Sequence, residues 1–235
     1  MLPVKVKGWH GAIRRLRARP FRQAVQIVPL VRPPACVGRL YYALPDPVQR
    51  SWRKLKARTG IKISLLDSKD DENHPERLAV LGELGPGRVL EVGCGYRKTD
   101  PDFFGVDLVP RGLPGRVGNV AGRISQADVA ASGERLPMRD GSFDYVVARH
   151  NLEHYVNPFD ALSEWRRVLR SGGRVVAVVP DEDGYAGRTL DLDPTHFHAF
   201  NKSFGEDLFT ACGFRLLRAT ICMPHWSLLF VAERP

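Results

Sequence analysis

Arg88-Val-Leu-Glu-Val-Gly-Cys-Gly95 decides how the rest of this 235-residue chain is read. Val89, Leu90 and Val92 form an apolar run with no polar alternation, the pattern of a strand buried on both faces of a parallel sheet. The run ends in Gly93 and Gly95, which let the backbone turn sharply and let a ligand lie against bare main chain. Dinucleotide-binding loops use such glycines to approach a pyrophosphate. Here Glu91 places a carboxylate just before the turn, which suits a ligand carrying positive charge.

Further motifs follow in order. Phe104-Gly-Val-Asp107 is a short apolar run ending in an acid, as a second strand should be if its carboxylate accepts hydrogen bonds from a ribose diol. Next come Glu134-Arg-Leu-Pro-Met-Arg-Asp-Gly-Ser-Phe-Asp144, the apolar run Tyr145 to Ala148, and Arg149-His-Asn-Leu-Glu-His154. Ala161 to Leu169 has helical spacing, Ser171-Gly-Gly173 reads as its stop, and Arg174-Val-Val-Ala-Val-Val-Pro180 is another buried strand.

From about residue 86 onward the chain resembles the small-molecule branch of the class I S-adenosylmethionine (SAM)-dependent methyltransferases, in the strand–glycine motif, E-x-L-P-x-x-D-x-S-F-D, L-E-H and R-V-L-x-x-G-G. The ammonium and sulfonium of SAM match a carboxylate at Glu91; NAD does not. The resemblance implies a cofactor site of Glu91, Gly93, Cys94, Gly95, Asp107, Leu108, Asp128, Glu134, Arg149 and Asn151, with Arg149 to Asn151 facing the methionine part and the acceptor. Which of Asp128 and Glu134 meets the adenine amino group stays open.

The chain also departs from the pattern. Arg97 stands where a third glycine is usual, and Lys98 where an NAD-type G-x-G-x-x-G would have its last glycine. The short interval from Glu91 to Asp107 predicts a loop or a single turn near Tyr96 to Asp102, with Pro101 breaking anything longer.

Strands are expected near 88–93, 104–108, 123–127, 143–149, 174–180, 215–222 and 226–232, and helices near 76–84, 131–136, 158–170 and 203–212. This alternation implies an α/β fold: a doubly wound, Rossmann-like, mostly parallel seven-stranded sheet with ligands at the carboxyl ends of its strands. The tight link around Pro224 and His225 is too short for a parallel crossover, so the last strand should be antiparallel.

Charge divides the chain. The formal net charge is +9, yet residues 1–60 hold fourteen Lys or Arg against one acid, Asp46, and residues 61–235 hold 21 basic and 25 acidic residues. Residues 1–66 read as a basic helical extension, 67–75 as an acidic linker, and 76–235 as the methyltransferase domain. Asp46-Pro47 resembles an N-cap and first helical position for a helix to Thr59, with Val48, Trp52 and Leu55 on one face. A second candidate basic helix is expected around Trp9 to Arg19. These helices can cap the domain, dock on an anionic membrane surface, or, as the least favoured reading, hold nucleic acid.

No run reaches the roughly 18 apolar residues of a membrane span, and the start lacks the order of a signal peptide. Cys36, Cys94, Cys212 and Cys222 show no paired spacing and are expected to be reduced. The expected location is therefore cytoplasmic, with peripheral attachment at the inner membrane surface open.

Methyl transfer requires chiefly alignment of acceptor and methyl, plus a base where the nucleophile must lose a proton. His150, His154, His196 and His198 are the candidates, His150 ahead of His154 because it lies closer to the expected position of the methyl group. Asp191, Asp193, His196 and His198 contain metal-ligand types, but alternating histidines on an extended segment project to opposite sides, and the preferred reading has no metal. The leading function is methyl transfer from SAM to a small-molecule, glycan or lipid-linked acceptor, with oxygen favoured. RNA or protein methylation through the basic arm, and SAM binding without turnover, are the alternatives.

Overall fold

A computed structural model describes residues 74–117, 120–185, 188–191 and 193–235. The expected basic helices at 9–19 and 46–59, and most of the acidic linker, lie outside the described residues. In chain order the elements are α1 (Pro75–Gly82), β1 (Val89–Val92), β2 (Phe104–Asp107), β3 (Val129–Ala130), β4 (Phe143–Arg149), α2 (Pro158–Val168), β5 (Leu169–Pro180), α3 (Lys202–Ala211), β6 (Arg215–Met223) and β7 (Ser227–Glu233). Single 3-10 turns at Leu152–His154 and Thr189–Asp191 follow β4 and β5.

The strands form one seven-stranded sheet in the order β3-β2-β1-β4-β5-β7-β6. β1 to β5 pair in parallel, while β7 runs antiparallel to both β5 and β6. The reversed strand follows from the short connection at Pro224–Trp226, which closes a hairpin with a Trp226 N–H to Met223 carbonyl bond of 3.0 Å.

Strand β5 shows why the central runs lack polar alternation. Val175, Ala177 and Val179 join a core with Leu162, Trp165 and Val168 of α2 and Leu208 and Phe209 of α3. Val176 and Val178 face the other side, with Val147, Val231 and Val80 of α1. Each face of the strand meets its own apolar layer, so every position is selected for burial.

Helix α2 begins where Asn157 accepts a hydrogen bond from the Phe159 N–H (3.2 Å) and Pro158 takes a first-turn position. Its buried stripe is Ala161, Leu162, Trp165 and Val168, the spacing of one helical face. The helix ends at Val168 rather than 170, because Leu169 is already extended and pairs with Phe143. Ser171-Gly-Gly173 therefore lies within the start of β5. A Cβ at Gly173 would stand 2.9 Å from the Arg170 carbonyl oxygen and 3.0 Å from that of Asp144, so the glycine permits a close approach of main chains.

Two further expectations require correction. The third strand is not at 123–127 but at Val129–Ala130, two residues long. The earlier residues pair elsewhere: Ser125 N–H bonds the Leu113 carbonyl, Gly112 N–H bonds the Ser125 carbonyl, and Gln126 N–H bonds the Gly95 carbonyl. No helix forms at 131–136. The Ser132 hydroxyl accepts from the Glu134 N–H at 3.2 Å, a local bond that competes with helix formation, and the Gly133 carbonyl accepts from Trp165 Nε1 at 3.1 Å. As expected, the β1–β2 connection contains no helix.

Helix α3 rests directly on β7. A Cβ at Gly205 would stand 2.2 Å from the Phe230 ring, which is fully buried. Gly205→Ala is expected to destabilise the domain by about 1–3 kcal/mol, despite the better helix propensity of alanine. A urea unfolding series checks this; unchanged stability would show that α3 can move away from the sheet freely.

Candidate functional site

The site begins at the glycine turn. Gly93 (φ +69°) and Gly95 (φ +56°) occupy the left-handed region, and the Gly93 N–H bonds the Val106 carbonyl at 2.8 Å. At Gly93 the space a Cβ would need is taken by Asn151, whose Nδ2 would be 2.1 Å away. Asn151 Oδ1 accepts from the Tyr155 hydroxyl at 2.8 Å, so this side chain ties the end of β4 to the turn. At Gly95 the corresponding direction is open as far as Val120, at 3.7 Å.

Asp107 closes the turn from the end of β2. One carboxylate oxygen accepts from the Gly95 N–H (2.9 Å), the other from the Val109 N–H (2.9 Å). These two bonds leave each oxygen a further acceptor position. A shallow groove beside it is lined by Gly95, Tyr96, Val109, Val120, Arg123 and Ser125, with the Arg123 guanidinium 4.4 Å from the Tyr96 ring centroid. Leu108 stands exposed next to Asp107.

Glu91 is buried within this frame. Its two oxygens accept from the Thr99 N–H (2.7 Å) and the Thr99 hydroxyl (2.6 Å), and Arg149 Nε lies 3.9 Å away. The carboxylate thus anchors the loop between β1 and β2. Burial raises its pKa, while Arg149 and the Thr99 bonds pull the other way. Cys94, also buried, has its thiol pushed up to about 12 by desolvation and by the Glu91 and Asp107 charges, so it stays a thiol at neutral pH.

Asp128 precedes β3 and accepts from the Gly105 N–H at 2.8 Å, Lys98 and Arg111. Burial opposes its ionisation, but these partners outweigh it and hold the carboxyl below the usual range. Glu134 is exposed and packs its carboxylate 3.3 Å from the Ser132 hydroxyl. Arg149 is 9% exposed, and its Nε makes no hydrogen bond.

The histidines separate into two groups. His150, at φ +50°, directs Nε2 to Glu76 Oε1 of α1 at 2.9 Å and Nδ1 towards Glu153 Oε1 at 3.5 Å. His154 and His196 each place Nε2 3.9 Å from the same Glu153 oxygen, and their rings meet edge to face at 4.7 Å. His198 is elsewhere: its Nε2 meets the Val156 carbonyl at 3.2 Å and its ring stacks on Phe204. Asp191 pairs with Arg188, and Asp193 accepts from the Thr195 N–H and hydroxyl. The set Asp191, Asp193, His196 and His198 therefore does not converge; His196 joins Glu153 and His154 instead.

Thr99 and Glu76 carry no local sequence signal for these roles, whereas Glu153, the centre of this cluster, lies in the L-E-H motif. Glu76 meets His150 across 74 positions of chain, a distance that no spacing motif encodes.

A parallel five-strand core, a reversed β7 and a glycine turn answered by an acid at the end of β2 together define the class I SAM-dependent methyltransferase fold. Residues 85–177 match the family described as Methyltransferase domain. A probable S-adenosylmethionine-dependent methyltransferase of Mycolicibacterium smegmatis is 31% identical over 54% of this chain and 52% of its own. A demethylmenaquinone methyltransferase of Beutenbergia cavernae is 39% identical over 43% of this chain and 45% of its own. Among solved structures, the Burkholderia thailandensis 1,6-didemethyltoxoflavin-N1-methyltransferase, with 1,6-didemethyltoxoflavin and S-adenosylhomocysteine bound, superposes with a TM-score of 0.53. It is 20% identical, over 92% of this chain and 99% of that one. Residues 85–177 thus carry a methyltransferase domain, and the fold and these relatives support an enzyme of the SAM-dependent methyltransferase class. The chain spans about half the length of the curated relatives it matches.

Thr99→Val leaves the buried Glu91 carboxylate one hydrogen bond short, at an expected cost of about 1–3 kcal/mol at neutral pH. Glu91 is a carboxyl whose folded pKa is raised, so it favours folding at low pH and that contribution is lost as pH rises through the folded value. Removing a bond to the ionised form raises that pKa further. The deficit of Thr99→Val should therefore shrink as pH falls towards 4.5, the ordinary value of this group. Denaturant melts at several pH values check the sign; a pH-independent deficit would show that Thr99 acts through packing alone.

Proposed function

We propose that this chain transfers a methyl group from SAM to an oxygen of a small-molecule, glycan or lipid-linked acceptor. The observation that carries the cofactor half of the reading is the pairing of Gly95 with Asp107 beside an open groove: both carboxylate oxygens are fixed by backbone N–H groups and keep acceptor positions for a ribose diol. The residues suit the cofactor. Gly93 and Gly95 offer main chain without side chains, Tyr96 and Leu108 offer apolar flanks for adenine, and the buried Arg149 offers a guanidinium to the methionine carboxylate. SAM, when bound, supplies an electrophilic methyl on a sulfonium that departs as a neutral thioether.

The acceptor side is assigned to the residues after β4 and β5. His150, held by Glu76 as a carboxylate orients a histidine, and His154 and His196 form a polar wall there. His198, turned to Val156 and Phe204, takes no part in this wall. Asp128 and Glu134 are given no more than a peripheral role at the adenine edge, Asp128 because Lys98 and Arg111 already engage it.

The basic residues 1–60 favour an anionic or lipid-linked acceptor met at a membrane surface, where each basic side chain adds about 1 kcal/mol of attraction. Among the described residues no helix is long and apolar enough to cross a membrane. The relative named demethylmenaquinone methyltransferase and the toxoflavin-type neighbour support small-molecule acceptors as the class to test first.

Calorimetric titration with SAM and S-adenosylhomocysteine tests the cofactor half. Micromolar binding is expected, weakened about 10- to 100-fold in Asp107→Ala by loss of charge-assisted hydrogen bonds, and abolished in Gly93→Arg. A folded chain that binds neither ligand, or an Asp107→Ala variant that binds normally, would overturn the assignment.

A further inference from the structure

We propose that Glu153, His154 and His196 form a binding site for a divalent transition-metal ion, with His150 at its edge. Glu153 is fully buried, and neither of its carboxylate oxygens makes a hydrogen bond. Leaving an ionised carboxylate in that state is costly. What surrounds it is three imidazole nitrogens, at 3.5 Å (His150 Nδ1), 3.9 Å (His154 Nε2) and 3.9 Å (His196 Nε2), all beyond hydrogen-bond length.

The far sides of the rings decide which nitrogens carry protons. His196 Nδ1 lies 2.8 Å from the Thr189 carbonyl, and His154 Nδ1 lies 3.1 Å from the Thr195 carbonyl. A carbonyl only accepts, so each Nδ1 is the N–H. The Thr195 hydroxyl donates to Asp193 (2.6 Å) and is thereby left to accept from the same His154 N–H at 2.9 Å. In the neutral rings both Nε2 atoms are then lone pairs, and both face the same Glu153 carboxylate oxygen. His150 repeats the arrangement with Nε2 against Glu76, leaving Nδ1 towards Glu153.

Ring nitrogens converging on a carboxylate oxygen form a donor set that a metal cation would complete. Imidazole N–H groups held by carbonyls or carboxylates, with the opposite nitrogens converging, form the outer shell typical of metal-bound histidine. One ligand atom from each of Glu153, His154 and His196 lies within 4.8 Å of the others. A tetrahedral ion with bonds of about 2.1 Å separates its ligands by about 3.4 Å, so the 3.9 Å gaps need close by only about 0.5 Å. Two imidazoles and one carboxylate select Zn²⁺, Co²⁺, Ni²⁺ or Fe²⁺ over Mg²⁺ or Ca²⁺. His154, 29% exposed, provides the path of entry.

The site is held from both sides of the cleft. Glu153 and His154 belong to the turn after β4, His196 comes from the loop after β5, and the Phe197 and His198 N–H groups bond the Glu153 carbonyl at 2.9 and 3.3 Å. On the methyl-transfer reading, on which this clause alone rests, an open coordination position would take the acceptor oxygen and ease its deprotonation.

The test uses the full chain stripped with chelator and titrated with Co²⁺, with no SAM or acceptor present, so its outcome is separate from that of the SAM titration. One equivalent is expected to bind with the visible absorption of low-coordinate Co²⁺, displaced by Zn²⁺. Affinity should fall at least about 10-fold in His154→Ala, His196→Ala and Glu153→Gln, and stay unchanged in His225→Asn on the β6–β7 turn. On the wild-type chain, Zn²⁺ should protect His154 from diethyl pyrocarbonate, read by mass spectrometry, which requires no variant to fold. Absence of Co²⁺ and Zn²⁺ binding by the folded wild type, undiminished affinity in the folded variants, or equal His154 labelling with and without Zn²⁺ would overturn the proposal.

Discussion

The site depends on a buried carboxylate held by one threonine. Glu91 sits in the middle of β1, the strand that pairs with both β2 and β4, and a charge there requires compensation. Thr99 supplies it twice, through its N–H and its hydroxyl. Those bonds fix the path of the chain from Gly93 to Phe103, so that a helix-free connection returns to a parallel neighbour. Because the loop is fixed, Gly95 N–H meets Asp107 and the ends of β1 and β2 form one rim. Arg149, at the end of β4, stands against the same carboxylate and joins the third parallel strand to that frame.

Hydrogen bonding between loops replaces the missing helices on this side of the sheet. The chain between β2 and β3 folds against itself through Gly112, Leu113 and Ser125, and reaches the glycine turn through Gln126. Asp128 then binds Gly105 of β2 and the side chains of Lys98 and Arg111. An acid that resembles a ligand-binding residue in sequence thereby acts as a clamp between two connections. The other half of the sheet is held differently, by apolar layers: Trp165, Leu208 and Phe209 on one face and Val80 on the other.

Opposing constraints meet at Glu153. The turn Leu152–His154 follows β4 immediately, which leaves the glutamate fully buried beside three imidazole rings. A glutamate whose only role was to shape a turn would direct its carboxylate to solvent or to a backbone N–H. Here the carboxylate points inward, and the loop after β5 brings His196 to it. A buried carboxylate without a hydrogen bond, faced by imidazole rings, distinguishes this part of the cleft from the groove beside Asp107.

The sequence by itself determined the elements whose signals are local. The unbroken apolar runs of β1, β4 and β5 declare strands buried on both faces, the short link at Pro224–Trp226 compels a reversed final strand, and Asn157-Pro158 marks the start of α2. It also placed Gly93, Gly95 and Asp107 at adjoining strand ends, because a glycine turn and an acid closing the next strand are both short-range patterns. Only the tertiary structure decided the rest. The third strand slipped from 123–127 to Val129–Ala130 because Ser125 and Gln126 found partners in other loops. Glu91 faced Thr99 rather than open space, and His196 parted from His198 to join Glu153 and His154. Each of those outcomes is set by partners several to many residues away competing for the same hydrogen bonds, and a linear pattern carries no record of which partner wins.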